Sequence, residues 1–251
     1  MSIAAGGWLA GRVLGQTRWT ERLYSLQVEA PMPTFEAGQF AKLALDIDGE
    51  RVARPYSFVN APGDTPLEFY YIVVPGGPLT PRLAALEAGE RVWLSDKPSG
   101  FLVLSEVPEA QNLWLVSTGT GIGPFLSILR SPAPWARYAK VVLVHAVREA
   151  AELTYRDTIA GIAAQRGARF AYQPVLSREA APGTLPGRIP ALLEDGRLEA
   201  AAGCALSAAD SQLMLCGNPQ MVADTLAMLA ARGMRKHRRR NPGQITVENY
   251  W

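Results

Sequence analysis

Cysteine and histidine are scarce in this sequence, which holds two of each among 251 residues. An iron–sulfur cluster needs about four cysteines, so Cys204 and Cys216 cannot hold one between them. A dedicated zinc site is not expected either, since His145 and His237 are the only histidines. We therefore predict no metal site. Sparse cysteine suits a reducing compartment, and we expect the protein to lie in the cytoplasm.

Long apolar runs and a strong charge of one sign are also missing. No stretch approaches the ~18 apolar residues of a membrane span. The first residues, MSIAAGGWLAGR, lack the basic and apolar regions of a signal peptide. The net charge of +2 is too small to indicate nucleic-acid binding by the chain as a whole. We expect no membrane and no nucleic-acid partner. A composition with 48% hydrophobic and 19% charged residues is that of an ordinary globular protein.

The first half of the chain has the rhythm of an all-β domain. Short apolar and β-branched runs alternate with proline and glycine clusters, such as the one at 61–64. This pattern predicts a β-barrel or a β-sandwich, interrupted by one helical piece at 81–87. The predicted strands are 8–17, 23–30, 39–47, 55–60, 67–74 and 91–95.

The second half alternates strand and helix patterns, which predicts a doubly wound parallel sheet. The fold class is therefore all-β plus α/β. The change of rhythm near 104–110 predicts two domains, residues 1–106 and 107–251. The predicted strands are 112–117, 141–145, 170–176, 212–216 and 244–247, and the predicted helices are 124–130, 152–165, 188–193 and 219–232.

Two glycine turns follow predicted strands in the second half. The run TGTGIGP, from Thr118 to Pro124, precedes a helix, and its backbone amides are suited to a pyrophosphate. Its spacing does not match G-x-G-x-x-G, and a plain strand–helix turn is as good an interpretation. The second turn joins Cys216 to Pro219. The Cys216 thiol either faces a ligand or is a small buried side chain, and the sequence alone favours the buried interpretation.

Three arginines, Arg148, Arg178 and Arg188, come just after predicted strands of the second half. Clustered guanidinium groups would bind a phosphate bidentately. The alternative is three separate, solvated surface charges.

The first half offers a second candidate site at Arg54-Pro55-Tyr56-Ser57. Strand alternation places Arg54 and Tyr56 on one face and Ser57 on the other. The arginine is suited to a phosphate and the tyrosine to a flat ring, although an ordinary edge strand explains the motif equally well. Downstream, the turn from Gly76 to Thr80 precedes a helix. It is either an anion site or a turn ended by an N-cap threonine.

The end of the sequence has two unusual segments. Tyr250 and Trp251 are large aromatics at a place where chains usually fray, so we expect them to pack on something flat. The basic run from Arg235 to Arg240 is by default a solvated surface. A docking patch for an acidic partner is the functional alternative. Nucleic acid is a third option, which no interleaved aromatics support.

Taken in order, four segments resemble the bacterial ferredoxin/flavodoxin–NADP(H) reductase family. They are RPYSFVN at 54–60, TGTGIGP at 118–124, CGNPQM at 216–221 and VENYW at 247–251. The resemblance runs over nearly the whole chain. It implies an antiparallel six-stranded, FAD-binding β-barrel in the first half and NADP(H) binding in the second.

The resemblance implies a set of FAD-binding residues. Tyr56 and Tyr250 would stack on opposite faces of the isoalloxazine, and Trp251 would pack toward the adenosine. Arg54 and Ser57 would help to hold the cofactor. The remaining FAD residues it implies are Phe58, Tyr70, Ile72, Gly77, Pro78, Leu79 and Thr80.

The resemblance also implies the residues that meet NADP(H). Thr118 and Thr120 would line the junction between flavin and nicotinamide. The nicotinamide nucleotide would be bordered by Gly217, Asn218 and Pro219. The 2′-phosphate site, which would select NADP(H) over NAD(H), would consist of Arg148, Ser177, Arg178 and Arg188, and Val147 is a further implied cofactor-binding residue.

The implied activity is electron exchange between NADP(H) and a ferredoxin or flavodoxin. A hydride would pass to N5 of FAD, and two single electrons would leave for the acidic carrier. The candidate catalytic residues are Tyr56, Ser57, Cys216 and Tyr250. The extra Trp251 resembles one bacterial subgroup, so roles for Cys216 and Glu248 taken from plant-type members stay open.

Two alternatives remain at this point. One is an NAD(P)H-dependent reductase that feeds an oxygenase or free flavin. The other is a non-catalytic flavin-binding sensor. We expect a monomer in either case.

Overall fold

The first half of the chain forms a curled antiparallel sheet in the computed structural model, which describes residues 3–4 and 6–249. The strand order is β5-β4-β7-β2-β3-β6, and a two-residue β1 pairs with β2. Beyond β5, Phe58 bridges to Phe69, which curls the two edges toward each other. The predicted six-stranded antiparallel fold is confirmed, with β1 added. The elements are β1 Ile3–Ala4, β2 Trp8–Arg18, β3 Leu23–Glu29, β4 Phe40–Ile47, β5 Glu50–Ser57, β6 Leu67–Ile72, α1 Thr80–Ala84 and β7 Arg91–Ser95.

The second half forms the parallel, doubly wound sheet that the alternating pattern predicted. Its strand order is β11-β10-β9-β8-β12-β13. Its elements are β8 Asn112–Thr118, α2 Gly123–Arg130, α3 Ala133–Arg137, β9 Lys140–Val147, α4 Arg156–Arg166, β10 Phe170–Leu176, β11 Leu185–Pro186, α5 Ile189–Glu194, α6 Arg197–Ala202, β12 Ser211–Gly217, α7 Pro219–Ala230 and β13 Ile245–Asn249.

Several element boundaries differ from the sequence prediction, and two of the differences have identifiable reasons. Strand β5 begins at Glu50, because Asp48 and Gly49 both have positive φ and form a two-residue hairpin turn to β4. Helix α4 begins at Arg156 and not at 152, because Tyr155 before it adopts the left-handed conformation at φ 58°. At the other end, Gly167 stops α4 as predicted.

The hydrophobic core continues from one sheet to the other. One buried cluster combines Leu23, Tyr70 and Leu102 of the first half with Leu113 and Cys216 of the second. We call the contact region around these five residues the seam. No helix within the described residues is long and apolar enough to cross a membrane.

Candidate functional site

The two glycine turns of the second half meet at the carboxyl ends of neighbouring strands. The backbone N–H of Asn218, after β12, donates to Oγ1 of Thr118, at the end of β8, over 2.8 Å. The strand order reverses between β8 and β12, and open parallel sheets bind ligands at such a switch point. The structure therefore joins the turns that the sequence singled out, at the crevice where a nucleotide is expected.

Glycine is required where these turns touch. A Cβ on Gly217 would lie 2.1 Å from Oγ1 of Thr118, and Gly217 has a φ of +136°. A Cβ on Gly121 would lie 2.6 Å from the carbonyl oxygen of Cys216. The side chain of Asn218 caps α7 by accepting from the amides of Gln220 and Met221, and Pro219 is the first residue of that helix. The turns are thus packed backbone against backbone.

His145 is hydrogen-bonded to the first glycine turn, a role that the sequence did not indicate. Its Nε2 lies 3.1 Å from the carbonyl oxygen of Gly119, and the ring is fully buried in β9. Burial lowers the pKa of His145 to about 4, so the neutral ring donates from Nε2 at physiological pH. Thr120, the next residue in the same turn, is also buried. The one available signal was the position of His145 near the end of a predicted strand.

The three predicted arginines all lie near the carboxyl ends of adjacent strands. The backbone N–H of Arg178 donates to the carbonyl of Arg148 over 3.0 Å, and Ser177 pairs in the same way with Val147. Arg188 precedes α5, just after β11. All three arginine side chains are exposed, and none has a hydrogen bond or ion pair within the described part of the chain. Their positive charge is available to an anion.

Cys216 and Glu248 lie in register on the paired strands β12 and β13. The thiol is fully buried, as the sequence favoured, and burial together with Glu248 holds the pKa of Cys216 well above its usual value. Burial raises the pKa of Glu248 to about 7. A Cβ on Gly100 would lie 3.3 Å from Oε1 of Glu248, so this carboxyl group faces the first half across the seam.

The Arg54–Ser57 motif occupies the end of β5. Arg54 is exposed, and its Nη1 donates to the carbonyl of Ala53 over 2.7 Å. Tyr56 is 8% exposed, and burial raises the pKa of its hydroxyl to about 12. Ser57 is 3% exposed. The motif therefore offers one accessible guanidinium beside a mostly buried ring.

Other predicted FAD residues of the first half lie deeper. Phe58 is fully buried and stacks on Phe35 with a centroid distance of 3.9 Å, so its contribution to a ligand would come from its backbone. Tyr70 is 2% exposed at the seam, where its hydroxyl accepts from Oγ1 of Thr154. Ile72 is half-buried at the end of β6.

The turn before α1 is shaped by Thr80. Its Oγ1 accepts from the backbone N–H of Val74 over 2.9 Å, while Gly77 closes the turn onto the carbonyl of the same Val74. The N-cap of α1 is Leu79, which is buried, so the alternative of an N-cap threonine is wrong. Pro78 is exposed, and its carbonyl accepts from Arg82.

The basic segment 235–240 forms a hairpin against the linker between the sheets. Arg239 forms an ion pair with Glu106 at 2.5 Å, and its guanidinium lies 5.2 Å from the ring centroid of Phe101. Phe101 is 69% exposed. The side chains of Arg238 and Arg240 are exposed and have no partner among the described residues. The exposed Phe101 ring thus lies against the ion-paired Arg239 of this hairpin, and the sequence had not indicated Phe101.

Tyr250 and Trp251, predicted to pack on a flat ring, lie outside the described residues.

Comparison with known proteins gives consistent matches. The family model described as an oxidoreductase NAD-binding domain matches residues 115–226. A flavodoxin/ferredoxin–NADP reductase of Shigella flexneri is 50% identical over 97% of this chain and 99% of its own length. The corresponding protein of Escherichia coli K12 is 49% identical with the same coverage.

The fold agrees with a solved structure of the same kind. A ferredoxin NADP+ reductase from Neisseria gonorrhoeae, solved with bound FAD and NADP, superposes with a TM-score of 0.93 at 33% identity. The match covers 98% of this chain and 100% of the other. The relatives were matched along the whole chain, and the structural match includes both sheets. This chain therefore belongs to the flavodoxin/ferredoxin–NADP reductase family.

Proposed function

We propose that this protein is an FAD-dependent oxidoreductase that exchanges electrons between NADP(H) and a ferredoxin or flavodoxin. The observation that carries the proposal is the joined pair of glycine turns, linked from Asn218 to Thr118 at the switch point. The Glu248 carboxyl group beside them faces Gly100 of the barrel half. A nucleotide bound at the turns would thus lie next to the first half.

The residues of the first half fit FAD. Arg54 presents a guanidinium with no carboxylate partner among the described residues, as a pyrophosphate site requires. Tyr56 offers an aromatic ring at the same strand end. Bound there, FAD supplies the conversion between a two-electron hydride and single electrons. We propose Arg54, Tyr56 and Ser57, with the 77–80 turn, as the residues that hold it.

The residues of the second half fit NADP(H). We propose that the backbone of the glycine turns receives the nucleotide, and that Arg148, Arg178 and Arg188 bind a 2′-phosphate. The support is their shared position near the ends of β9, β10 and β11 and the lack of any protein partner in the described chain. Such a cluster favours NADP(H) over NAD(H), because only the former carries that phosphate.

The catalytic task of the chain is placement. Hydride transfer requires the reacting atoms to approach within about 3–3.5 Å, with the rings aligned. We propose that buried Tyr56 in the barrel half and the tightly packed glycine turns in the second half are the rigid surfaces that hold the two rings. From the family resemblance we propose that Tyr250 takes part as a ring that moves aside. Removing Tyr250 and Trp251 should then change NADP⁺ affinity and the hydride-transfer rate, and unchanged values for both would exclude this role.

We propose the basic hairpin as the docking surface for the acidic carrier. Arg238 and Arg240 are exposed without partners in the described residues, and exposed Phe101 lies against Arg239 between them in the sequence. Charged rims steer acidic partners, and an exposed aromatic supplies apolar contact at their centre.

A visible spectrum tests the activity directly. The purified protein should be yellow, and anaerobic NADPH should bleach it much faster than NADH does. With NADPH as donor, kcat/KM should be higher for ferredoxin or flavodoxin than for free FMN. A colourless protein that takes up no FAD would refute the proposal, and a yellow protein that NADPH leaves unbleached would be a sensor.

We also propose that the protein is a cytoplasmic monomer with domains at 1–106 and 107–251. Both cysteines are free thiols, which suits a reducing compartment. The last strand of the first sheet ends at Ser95 and the next sheet begins at Asn112, which brackets the proposed boundary. Light scattering coupled to size-exclusion chromatography should give a mass near 27.1 kDa plus FAD. A mass of twice that value would refute the monomer.

A further inference from the structure

A continuous chain of hydrogen bonds crosses the seam. Nε1 of Trp19 donates to Oγ of Ser25 over 2.7 Å, and this oxygen lies 2.5 Å from the hydroxyl oxygen of Tyr155. The Tyr155 hydroxyl donates to Oε1 of Glu68 over 2.9 Å. The other carboxylate oxygen of Glu68 accepts from Nη1 of Arg130 over 3.0 Å.

The direction of this chain is fixed by its ends. An indole nitrogen can only donate, and an ionised carboxylate can only accept. Ser25 therefore donates to Tyr155, and Tyr155 donates to Glu68. Burial and the Glu68 carboxylate hold the pKa of Tyr155 well above its ordinary value, so the hydroxyl keeps its proton at physiological pH. The Ser25 and Tyr155 hydroxyls at the buried middle of the path each accept one hydrogen bond and donate another.

The path connects the two halves of the molecule. Trp19, Ser25 and Glu68 belong to the barrel half, while Tyr155 and Arg130 belong to the second half. Tyr155 is 3% exposed, and its hydroxyl is hydrogen-bonded to two residues of the other half, Ser25 and Glu68. It is therefore the central link.

The backbone of Tyr155 is held in an unfavourable conformation. Its φ of 58° and ψ of 24° lie in the left-handed region, where the Cβ of an ordinary residue is crowded. The ring packs against Trp19 at 4.9 Å and against Tyr70 at 5.3 Å between centroids. Such a conformation persists when the surroundings over-determine it, and strained residues of this kind cluster at functional sites.

Two residues of the path, Arg130 and Tyr155, are close in sequence to the loops proposed to bind the nucleotide. Arg130 is the last residue of α2, and α2 begins at Gly123 in the TGTGIGP turn. Tyr155 follows the loop that carries Arg148, whose backbone N–H is held by the Glu152 carboxylate. Fixing Arg130 and Tyr155 on the barrel therefore fixes the turn and the arginine loop relative to the first half.

We infer that Tyr155 is a positioning residue for hydride transfer, which sets the orientation of the nucleotide-binding half on the barrel half through this hydrogen-bonded path. The inference rests on the proposed function for its effect on the reaction. The stabilisation of the seam by Tyr155 is expected whether or not the protein has that function. A misplacement of about 1 Å is enough to slow such a transfer by ~100-fold.

Tyr155→Phe tests the inference, because it removes the hydroxyl and keeps the ring packing. We expect the single-turnover rate of flavin reduction by NADPH to fall by about tenfold or more, with FAD content unchanged. We also expect faster hydrogen–deuterium exchange in segments 58–70 and 154–159 of the holoprotein. Tyr172→Phe is the matched control, since its buried hydroxyl has no partner within the described residues, and it should change neither readout.

A double variant tests the path itself. Ser25→Ala and Tyr155→Phe remove neighbouring links, so the two changes together should slow reduction no more than Tyr155→Phe alone. If Tyr155→Phe lowers only the melting temperature and leaves reduction and exchange unchanged, the residue is merely structural and the inference is wrong. If NADPH does not reduce the unaltered protein, the proposed function fails, and the exchange measurement still decides the role of Tyr155 at the seam.

Discussion

Cys216 and Glu248 lie in register on β12 and β13, and burial disfavours the charged form of both side chains. Burial raises the pKa of Glu248 to about 7 and that of Cys216 well above its usual value, with Glu248 adding to the effect on the thiol. The Cys216 thiol is thus neutral at physiological pH, while the Glu248 carboxyl group exchanges its proton close to that pH.

The raised pKa of Glu248 makes stability depend on pH with a definite sign. Its folded pKa of about 7 lies above its ordinary value of 4.5, so the folded state holds the proton more tightly. Stability is therefore lost as pH rises from about 4.5 to 7 and then levels off. Glu248→Gln should be more stable than the unaltered protein by up to about 3 kcal/mol above pH 7, with little difference at pH 4.5.

Urea unfolding at a series of pH values measures this difference. Glu21→Gln, which removes an exposed carboxylate from the barrel half, is the control and should show no such growth with pH. Parallel curves for Glu248→Gln and the unaltered protein would contradict the assignment.

Gly217 should not tolerate a side chain. Its φ of +136° and the 2.1 Å approach of a Cβ to Thr118 predict that Gly217→Ala costs roughly 3 kcal/mol or more and weakens NADPH binding. The matched control is Gly161→Ala in α4, where a Cβ meets nothing within 4 Å and alanine should stabilise by up to about 1 kcal/mol. Thermal unfolding and NADPH titration of both variants check this. Equal effects of the two would mean that the turns are not packed as described.

The arginine cluster should discriminate between the two nicotinamide nucleotides. Each charged hydrogen bond to a phosphate contributes about 1.5–3 kcal/mol, so Arg188→Ala should lower kcat/KM for NADPH by roughly 10- to 150-fold. The value for NADH should hardly change. Arg156→Ala removes another exposed arginine that has no partner in the described chain, and it should affect neither nucleotide. An equal loss with both nucleotides for Arg188→Ala would rule out a 2′-phosphate site.

Carrier docking should depend on the free charges of the basic hairpin. Arg238→Gln with Arg240→Gln should slow association with ferredoxin or flavodoxin several-fold at low salt, and the difference should shrink as salt screens the charges. Reduction of an uncharged quinone should be unaffected. Arg18→Gln removes an equally exposed charge from the barrel half and serves as control. No change in the salt dependence would place the docking surface elsewhere.

The sequence predicted the two sheets because their periodicities are set locally. Alternating residues define the barrel strands, and apolar runs followed by helix patterns define the parallel strands. It missed β1, α3, α6 and β11, which are short and gain their order from neighbours. Helix α4 begins later than predicted for a tertiary reason: Tyr155 adopts the left-handed conformation, with its ring packed in the seam. Periodicity carries no signal for such a turn.

The candidate site was predictable where glycine or arginine marked it. Both glycine turns and all three arginines lie at the expected strand ends. The support from His145 and the exposure of Phe101 were not predictable, because each depends on which residue from a distant segment lies beside it. Thr80 shows the same limit, since its partner Val74 precedes the turn and is not part of the helix that it was expected to cap.

The shared core has a consequence for protein engineering. Tyr70 and Leu102 are buried in one cluster with Leu113 and other side chains of the parallel sheet. A fragment ending at residue 106 would therefore expose both to solvent. Excised alone, the barrel would aggregate or unravel. Chimeras that graft a new carrier specificity onto this scaffold must therefore exchange surface loops such as 235–240 and leave the two sheets together as one inseparable body.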